Sequence, residues 1–168
     1  LKGDPAETGE GKLALQLPVQ VEEGDTLDQT MEQLHERYCT DPEGYQSESG
    51  MVYTFWGVET VSLGFYRNDK MTNAVDQETV SDGDDIVVFQ YIDEKGWTDA
   101  YACFDQKQVL LSAGDSVNLH LQTETGAFAG AEIFLSDGET LKDTGVRSLE
   151  DGSVSLEGGV FASEGTYY

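Results

Sequence analysis

The clearest hydrophobic pattern in the chain predicts an amphipathic helix that begins after Thr26. Apolar residues recur there every three or four positions, which places them on one face of a helix. They are Leu27, Met31, Leu34 and Tyr38. Thr26 and Gln29 have the spacing of a capping box, in which each side chain bonds to the other residue's backbone. Thr-Asp-Pro at residues 40–42 predicts the end of the helix, because a residue before proline disfavours the helical conformation.

Alternating or β-branched apolar runs predict the strands of the first half of the chain. These runs occupy residues 12–21, 51–56, 60–66 and 85–92. Residues 43–50 are predicted to form a polar loop, and residues 67–70 a turn. One helix packed against one face of a sheet is the economical arrangement for this order of elements.

The composition changes at residues 93–96, and only short strands separated by glycine turns are predicted after them. The predicted strands are residues 99–105, 108–112, 116–122, 131–136, 153–157 and 165–168. The predicted turns are residues 113–115, 136–139 and 150–152. Many short strands without a helical period are typical of a β-sandwich.

The charge of the chain is strongly negative, with 33 acidic and 9 basic residues and a net charge of −24. Nucleic acid and anionic membrane surfaces would be repelled, so both are excluded as partners. Cations and basic protein surfaces stay open as partners, although solubility outside a cell is the favoured explanation of such a charge. No run approaches the roughly 20 apolar residues of a membrane span, and we therefore expect no membrane insertion.

No residue pattern indicates an enzyme. The chain lacks a Gly-x-Ser-x-Gly sequence, and neither histidine has a recognisable nucleophilic partner. We expect His35 on the polar side of the helix and His120 on the solvent side of a strand, facing away from Leu119 and Leu121. With 33 acidic residues, paired carboxylates arise by chance and do not indicate glycosidase chemistry.

Calcium is the one cofactor that the sequence leaves open. Asp82, Asp84 and Asp85 bring hard oxygen donors together in one loop, and residues 137–143 hold three more carboxylates. Neither run matches an EF-hand, and Asp-Gly is also a common tight-turn dipeptide, so the turn is the favoured interpretation. These three aspartates are therefore candidate metal ligands as well as candidate turn residues.

The aromatic residues suggest a ligand-binding surface. Strand alternation places Tyr53 and Phe55 on the core face, which leaves Trp56 and Tyr66 as candidates for an exposed binding rim. Cys39 and Cys103 lack the spacing of a zinc site, and the sequence leaves open whether they form a disulfide or stay as free thiols.

Three short motifs in the first half resemble a known family. They are Gly-Asp-Thr-Leu at residues 24–27, Tyr-Arg-Asn at residues 66–68 and Val-Ser-Asp-Gly-Asp at residues 80–84. Over residues 12–93 the chain resembles the β-grasp domain similar to the carboxyl-terminal domain of transcobalamin, which is common in surface proteins of Gram-positive bacteria. Corrinoid binding in that protein also requires a large helical domain, and nothing in this chain resembles it.

Four further motifs, in order, resemble bacterial immunoglobulin-like or transthyretin-like modules. They lie at residues 113–119, 130–133, 149–156 and 164–167. Such modules serve as stalks or spacers, and some carry a Lys–Asn cross-link, for which Lys107 or Lys142 with Asn118 would be the candidates here.

The resemblances imply an α+β β-grasp domain, with one helix on a mixed sheet, followed by an all-β immunoglobulin-like sandwich. The predicted divisions are a linker at 1–11, the first domain at 12–95 and the second, truncated, at 96–168. The function they imply is a non-catalytic, extracellular module of a bacterial cell-surface protein, anchored through segments outside this chain. It would bind a host or cell-surface glycan or protein. The alternative is a small-ligand or cation carrier for calcium or a corrinoid.

Overall fold

The structure is a computed structural model that describes residues 17–59, 62–91, 93, 99–137, 140–161 and 163–168. The chain divides into two compact units between Asp99 and Ala100, and each is described by itself. The sequence placed this boundary between residues 95 and 96. The predicted linker at residues 1–11 lies outside the described residues.

The predicted helix is confirmed as α1, Leu27–Tyr38. Its capping box is complete: the Gln29 backbone N–H donates to Thr26 Oγ1 at 3.2 Å, and the Thr26 N–H donates to Gln29 Oε1 at 2.9 Å. These bonds satisfy backbone donors that the first turn leaves without helical partners. Leu27 is fully buried, and the helix ends at an extended Cys39 just before Pro42.

Among the described residues of the first unit, six strands follow the helix and form two antiparallel sheets. The first sheet has the order β1-β2-β3 and the second has the order β5-β4-β6. The strands are β1 (Tyr45–Glu48), β2 (Met51–Phe55), β3 (Val58–Glu59), β4 (Leu63–Arg67), β5 (Lys70–Met71) and β6 (Ile86–Gln90).

Three two-residue turns connect neighbouring strands of these sheets. The central pairs are Ser49-Gly50, Trp56-Gly57 and Asn68-Asp69, and all six residues have positive φ, as type I′ hairpin turns require. The predicted turn at residues 67–70 is confirmed. The predicted loop at residues 43–50 is wrong in part, because β1 and the Ser49-Gly50 turn lie within it.

The core of the first unit lies between α1 and the strands. Its buried members are Leu27, Met31, Leu34, Trp56, Phe65, Val75 and Val80. Leu17, Val19 and Val21 pack against this cluster but form no strand. The predicted strand at 12–21 is therefore wrong for residues 17–21, and residues 12–16 lie outside the described part of the chain.

The second unit contains six strands among its described residues. They are β7 (Cys103–Phe104), β8 (Val117–Thr123), β9 (Gly126–Ala127), β10 (Glu132–Ser136), β11 (Leu141–Arg147) and β12 (Ser153–Leu156). β12, β8 and β7 are neighbours in one sheet, to which β9 adds on β8, and β10 pairs with β11 in another. A 3-10 helix follows at Gly158–Val160. The core contains Val117, Leu121, Ile133, Val154 and Leu156.

Two strand predictions in this unit are wrong. Residues 108–112 form no strand, and Leu110 is 92% exposed. β11 was not predicted because its run of Lys142, Asp143 and Gly145 has low strand propensity. The second wrong prediction is the strand at residues 165–168, which form no strand, although the Tyr168 and Ser136 backbones exchange hydrogen bonds at 2.8 and 2.9 Å.

The predicted fold class, a β-grasp domain followed by an immunoglobulin-like sandwich, is wrong. The described residues are mostly β and form several small, separate antiparallel sheets. A β-grasp arrangement needs one mixed sheet, but every strand pair within the described ranges is antiparallel. The physical reason is that tight hairpin turns pair β1 with β2, β2 with β3 and β4 with β5, and residues 17–21 of the first predicted strand form no strand.

Candidate functional site

The loop predicted to bind calcium is organised by hydrogen bonds around Asp84. Asp84 Oδ2 accepts the Ser81 N–H at 2.9 Å, and Oδ1 accepts the Asn68 side-chain amide at 2.6 Å. Arg67 Nη1 lies 3.5 Å from Asp84 Oδ2, and Arg67 Nη2 lies 2.8 Å from Glu78 Oε1. Desolvation raises the pKa of Asp84, but these hydrogen bonds and the Arg67 charge outweigh it and leave the pKa lowered.

The two other predicted ligands, Asp82 and Asp85, differ from Asp84 in their surroundings. Asp82 is exposed, and the backbone of Asp85 exchanges hydrogen bonds with Asn68: its N–H donates to Asn68 Oδ1, and its carbonyl accepts the Asn68 N–H. Over the described residues, no three His, Cys, Asp or Glu side chains are arranged to hold a metal ion. Of the second acidic run, residues 138 and 139 lie outside the described part. Calcium binding stays a prediction.

The predicted exposed rim of Trp56 and Tyr66 is wrong, because the two side chains are only 9% and 5% exposed. Trp56 occupies a type I′ turn, which breaks the strand alternation and directs its ring into the core. Tyr66 lies on the opposite face of β4 from Phe65, and its hydroxyl bonds to that of Tyr91. Gly64 leaves room for both rings, since a Cβ there would lie 2.9 Å from Tyr91 and 3.0 Å from Tyr66.

His35, predicted to be exposed, is 4% exposed and links α1 to the turn after β2. Its Nε2 accepts the Trp56 backbone N–H at 3.0 Å, so Nδ1 carries the proton and donates to the Met31 carbonyl at 2.7 Å. Burial lowers the pKa of His35, while the Met31 bond opposes that shift. The sequence does carry a signal for this position, because His35 follows Met31 by four residues and so lies on the apolar stripe.

Tyr45 connects His35 to the surface. The two ring centroids are 5.0 Å apart, and the Tyr45 hydroxyl donates to Asp28 Oδ1 at 2.6 Å. Burial, followed by the bond to Asp28, raises the pKa of Tyr45, so the phenol stays protonated. The side chain thus bridges the buried histidine on one side and a surface carboxylate on the other.

An open groove of about 620 Å³ begins at this carboxylate, and we call it the α1–β1 groove. It is lined by Asp28, Glu32, Tyr45, Gln46, Ser47, Glu48 and Tyr53. Three of these side chains are carboxylates, two are tyrosines, and none is basic. Tyr53 is 41% exposed, although the sequence placed it on the core face. Such a lining offers anionic acceptors and an aromatic face to a cation.

The candidate residues for a disulfide and for a Lys–Asn cross-link lie in the described part of the chain. Cys39 and Cys103 are not joined in a disulfide, and each is half-buried. Lys142 Nζ donates to the Val160 carbonyl at 3.1 Å, and Asn118 Oδ1 accepts the Ser155 hydroxyl at 2.7 Å. Neither side chain is oriented towards the other by these bonds.

The comparisons with known proteins identify no relative: no family model, curated protein or solved structure matches the chain. None of the helical segments in the described ranges is long and apolar enough to cross a membrane.

Proposed function

We propose that this chain is a non-catalytic binding module whose α1–β1 groove captures a basic, extended segment of a partner protein. The observation that supports this most strongly is the groove lining, which combines Asp28, Glu32 and Glu48 with Tyr53 and includes no basic side chain from the described residues. Lysine and arginine side chains suit such a site, because they pair with carboxylates and stack on tyrosine rings.

The charge of the whole chain supports the same class of partner. A net charge of −24 attracts cationic polypeptides at a distance and speeds their encounter, most strongly at low ionic strength. Charge alone would hold such a partner anywhere on the surface. The groove adds a defined shape and the exposed Tyr53 ring, and these would fix where the partner binds.

The proposal includes an extracellular setting, in a surface protein that uses the module for adhesion or ligand capture. The strongly acidic composition and the surface-protein motifs at residues 24–27 and 80–84 support this setting. Sequencing the complete gene tests it. An export signal and an anchoring segment in the encoded protein are expected, and a cytosolic protein with neither would contradict the setting.

The binding proposal is tested with a fluorescent Lys/Arg-rich peptide of about ten residues, by anisotropy at low salt and pH 7.5. Tyr53→Ala is expected to weaken binding about threefold to tenfold, because it removes the aromatic surface. Glu32→Gln is expected to weaken it about twofold to fivefold, as an exposed charge contributes roughly 0.5–1 kcal/mol.

Glu59→Gln is the matched control, since it removes one exposed carboxylate of the same unit outside the groove. It makes the same change in net charge as Glu32→Gln. Equal effects of the two substitutions, together with an ineffective Tyr53→Ala, would mean that the peptide binds the general acidic surface and not the groove.

A further inference from the structure

His35 holds together the elements that form the α1–β1 groove, although it does not line the groove itself. Its ring lies 4.7 Å from the rings of both Phe55 and Trp56 and 5.0 Å from Tyr45, measured between centroids. Both ring nitrogens are hydrogen-bonded, to Met31 on α1 and to Trp56 in the turn after β2. One imidazole therefore contacts the helix, β1 and β2, which together supply the groove lining.

The Trp56 turn depends on the neutral form of this imidazole. Trp56 has a φ of +57°, a left-handed conformation that is rare and strained for a bulky residue. The turn is held by two backbone donors: the Trp56 N–H bonds to His35 Nε2, and the Gly57 N–H bonds to the Gly44 carbonyl at 3.0 Å. A protonated His35 would present an N–H to the Trp56 N–H, so the first of these bonds would be lost.

We infer that His35 makes ligand capture in the α1–β1 groove dependent on pH, with binding at neutral pH and release on acidification. This inference rests on the proposed function of that groove. His35 acts as a positioning residue, because protonation breaks the Trp56 bond and disturbs Tyr45, which is the groove residue in contact with the imidazole. Release then follows from a change in groove geometry.

The charged and titratable groups that approach His35 in the described structure come from β1, from α1 and from the loop between them. β1 contributes the protonated phenol of Tyr45, and β2 with its turn contributes the uncharged rings of Phe55 and Trp56. Two carboxylates lie next to residues that contact His35 or neighbour its contacts. Asp28 accepts the hydrogen bond of the Tyr45 hydroxyl, and Asp41 lies beside Gly57, where an added Cβ would be 3.1 Å from Asp41 Oδ2. On α1, Glu32 precedes His35 by one turn and lines the groove.

The direction of the pH effect follows from the pKa shift. The pKa of His35 is lowered below its usual 6.5 by burial, so the unfolded or disturbed state takes up a proton before the native state does. The native arrangement is therefore fully favoured above pH 6.5 and loses stability as the pH falls below that value. Linkage to a single proton limits the loss of affinity to about tenfold per pH unit.

The test compares peptide affinity from pH 7.5 to pH 4.5 in the wild type, His35→Gln and His120→Gln. Glutamine keeps an acceptor for the Trp56 N–H but does not titrate, so His35→Gln is expected to lose less affinity on acidification than the wild type. His120→Gln removes the other histidine of the chain and is expected to follow the wild type. The difference between the curves isolates His35 from the titrating carboxylates.

Nuclear magnetic resonance of the wild-type protein supplies a readout that needs no variant. At pH 7.5 the His35 ring is expected to carry its proton on Nδ1, and the amide signals of Trp56 and Tyr53 are expected to shift with His35 as the pH falls. The inference would be overturned if the wild type and His35→Gln lost the same affinity as the pH falls, or if the amide signals of the groove did not shift together with His35. Either result would leave groove binding intact. Absence of peptide binding at pH 7.5 would overturn both the inference and the proposed function.

Discussion

Asp84→Asn tests whether the acidic loop after residue 80 is a structural element of the first unit. The carboxylate accepts hydrogen bonds from the Ser81 backbone and the Asn68 side chain on separate oxygens. The amide of asparagine replaces one of these oxygens with a donor. One bond is then lost, and one N–H of the loop faces another.

The magnitude follows from the kind of bond that is lost. Hydrogen bonds to charged groups contribute about 1.5–3 kcal/mol, and Asp84 lies near the surface, so we expect a loss of about 1.5–2 kcal/mol. The weaker pairing with Arg67, which is itself 36% exposed in its side chain, adds little to this value. For a unit of about 100 residues the expected fall in Tm is about 6–16 °C.

Tryptophan fluorescence is the suitable assay, because Trp56 is buried in the core of the first unit. Thermal melts are recorded in a chelator, so that a bound cation cannot contribute to the stability. Asp82→Asn is the matched control: it removes an exposed neighbouring carboxylate and is expected to change the stability by less than about 0.5 kcal/mol. Equal melting temperatures for Asp84→Asn and Asp82→Asn would refute the structural role of Asp84.

Two further substitutions test the core and the helix. Leu156→Ala truncates a side chain of the second unit that is 4% exposed, and it is expected to lower the free energy of unfolding by about 2–5 kcal/mol, measured by urea unfolding followed by circular dichroism. Leu149→Ala, at a position that is 63% exposed, should lower it by less than about 0.5 kcal/mol. Similar losses at both positions would contradict the described core. Thr26→Ala removes the capping hydroxyl of α1 and is expected to lower the stability of the first unit by about 1 kcal/mol, and an unchanged tryptophan-fluorescence midpoint would show that the cap contributes nothing.

Elements with strong local signals could be predicted from the sequence. The capping pair Thr26 and Gln29 defined the start of α1, and the β-branched and aromatic runs predicted most of β2, β4 and β6. Local signals do not specify strand partners, because pairing depends on turns and on contacts between distant residues. The mixed sheet was therefore predicted only from the order of the elements along the chain. In the structure, the hairpin turns at Ser49, Trp56 and Asn68 connect strands of separate antiparallel sheets.

The candidate site was harder to predict because exposure was inferred from alternation. Trp56 was expected on the solvent side of a continuous strand, but the turn that contains it reverses that direction. His35 was expected on the polar side of the helix, although its position four residues after Met31 places it on the buried stripe. The groove itself could not be predicted, because much of its lining comes from β1. The polar sequence of residues 43–50 predicted a loop there and not a strand.

The most direct test of the central claim is to map the bound peptide on the first unit by nuclear magnetic resonance. The Lys/Arg-rich peptide is titrated into isotope-labelled protein at pH 7.5, and the amide shifts are followed residue by residue. Selective binding in the α1–β1 groove predicts that the largest shifts fall on Glu32, Ser47 and Tyr53, with small shifts at Glu59. Shifts spread evenly over the acidic surface, or concentrated in the second unit, would contradict the account.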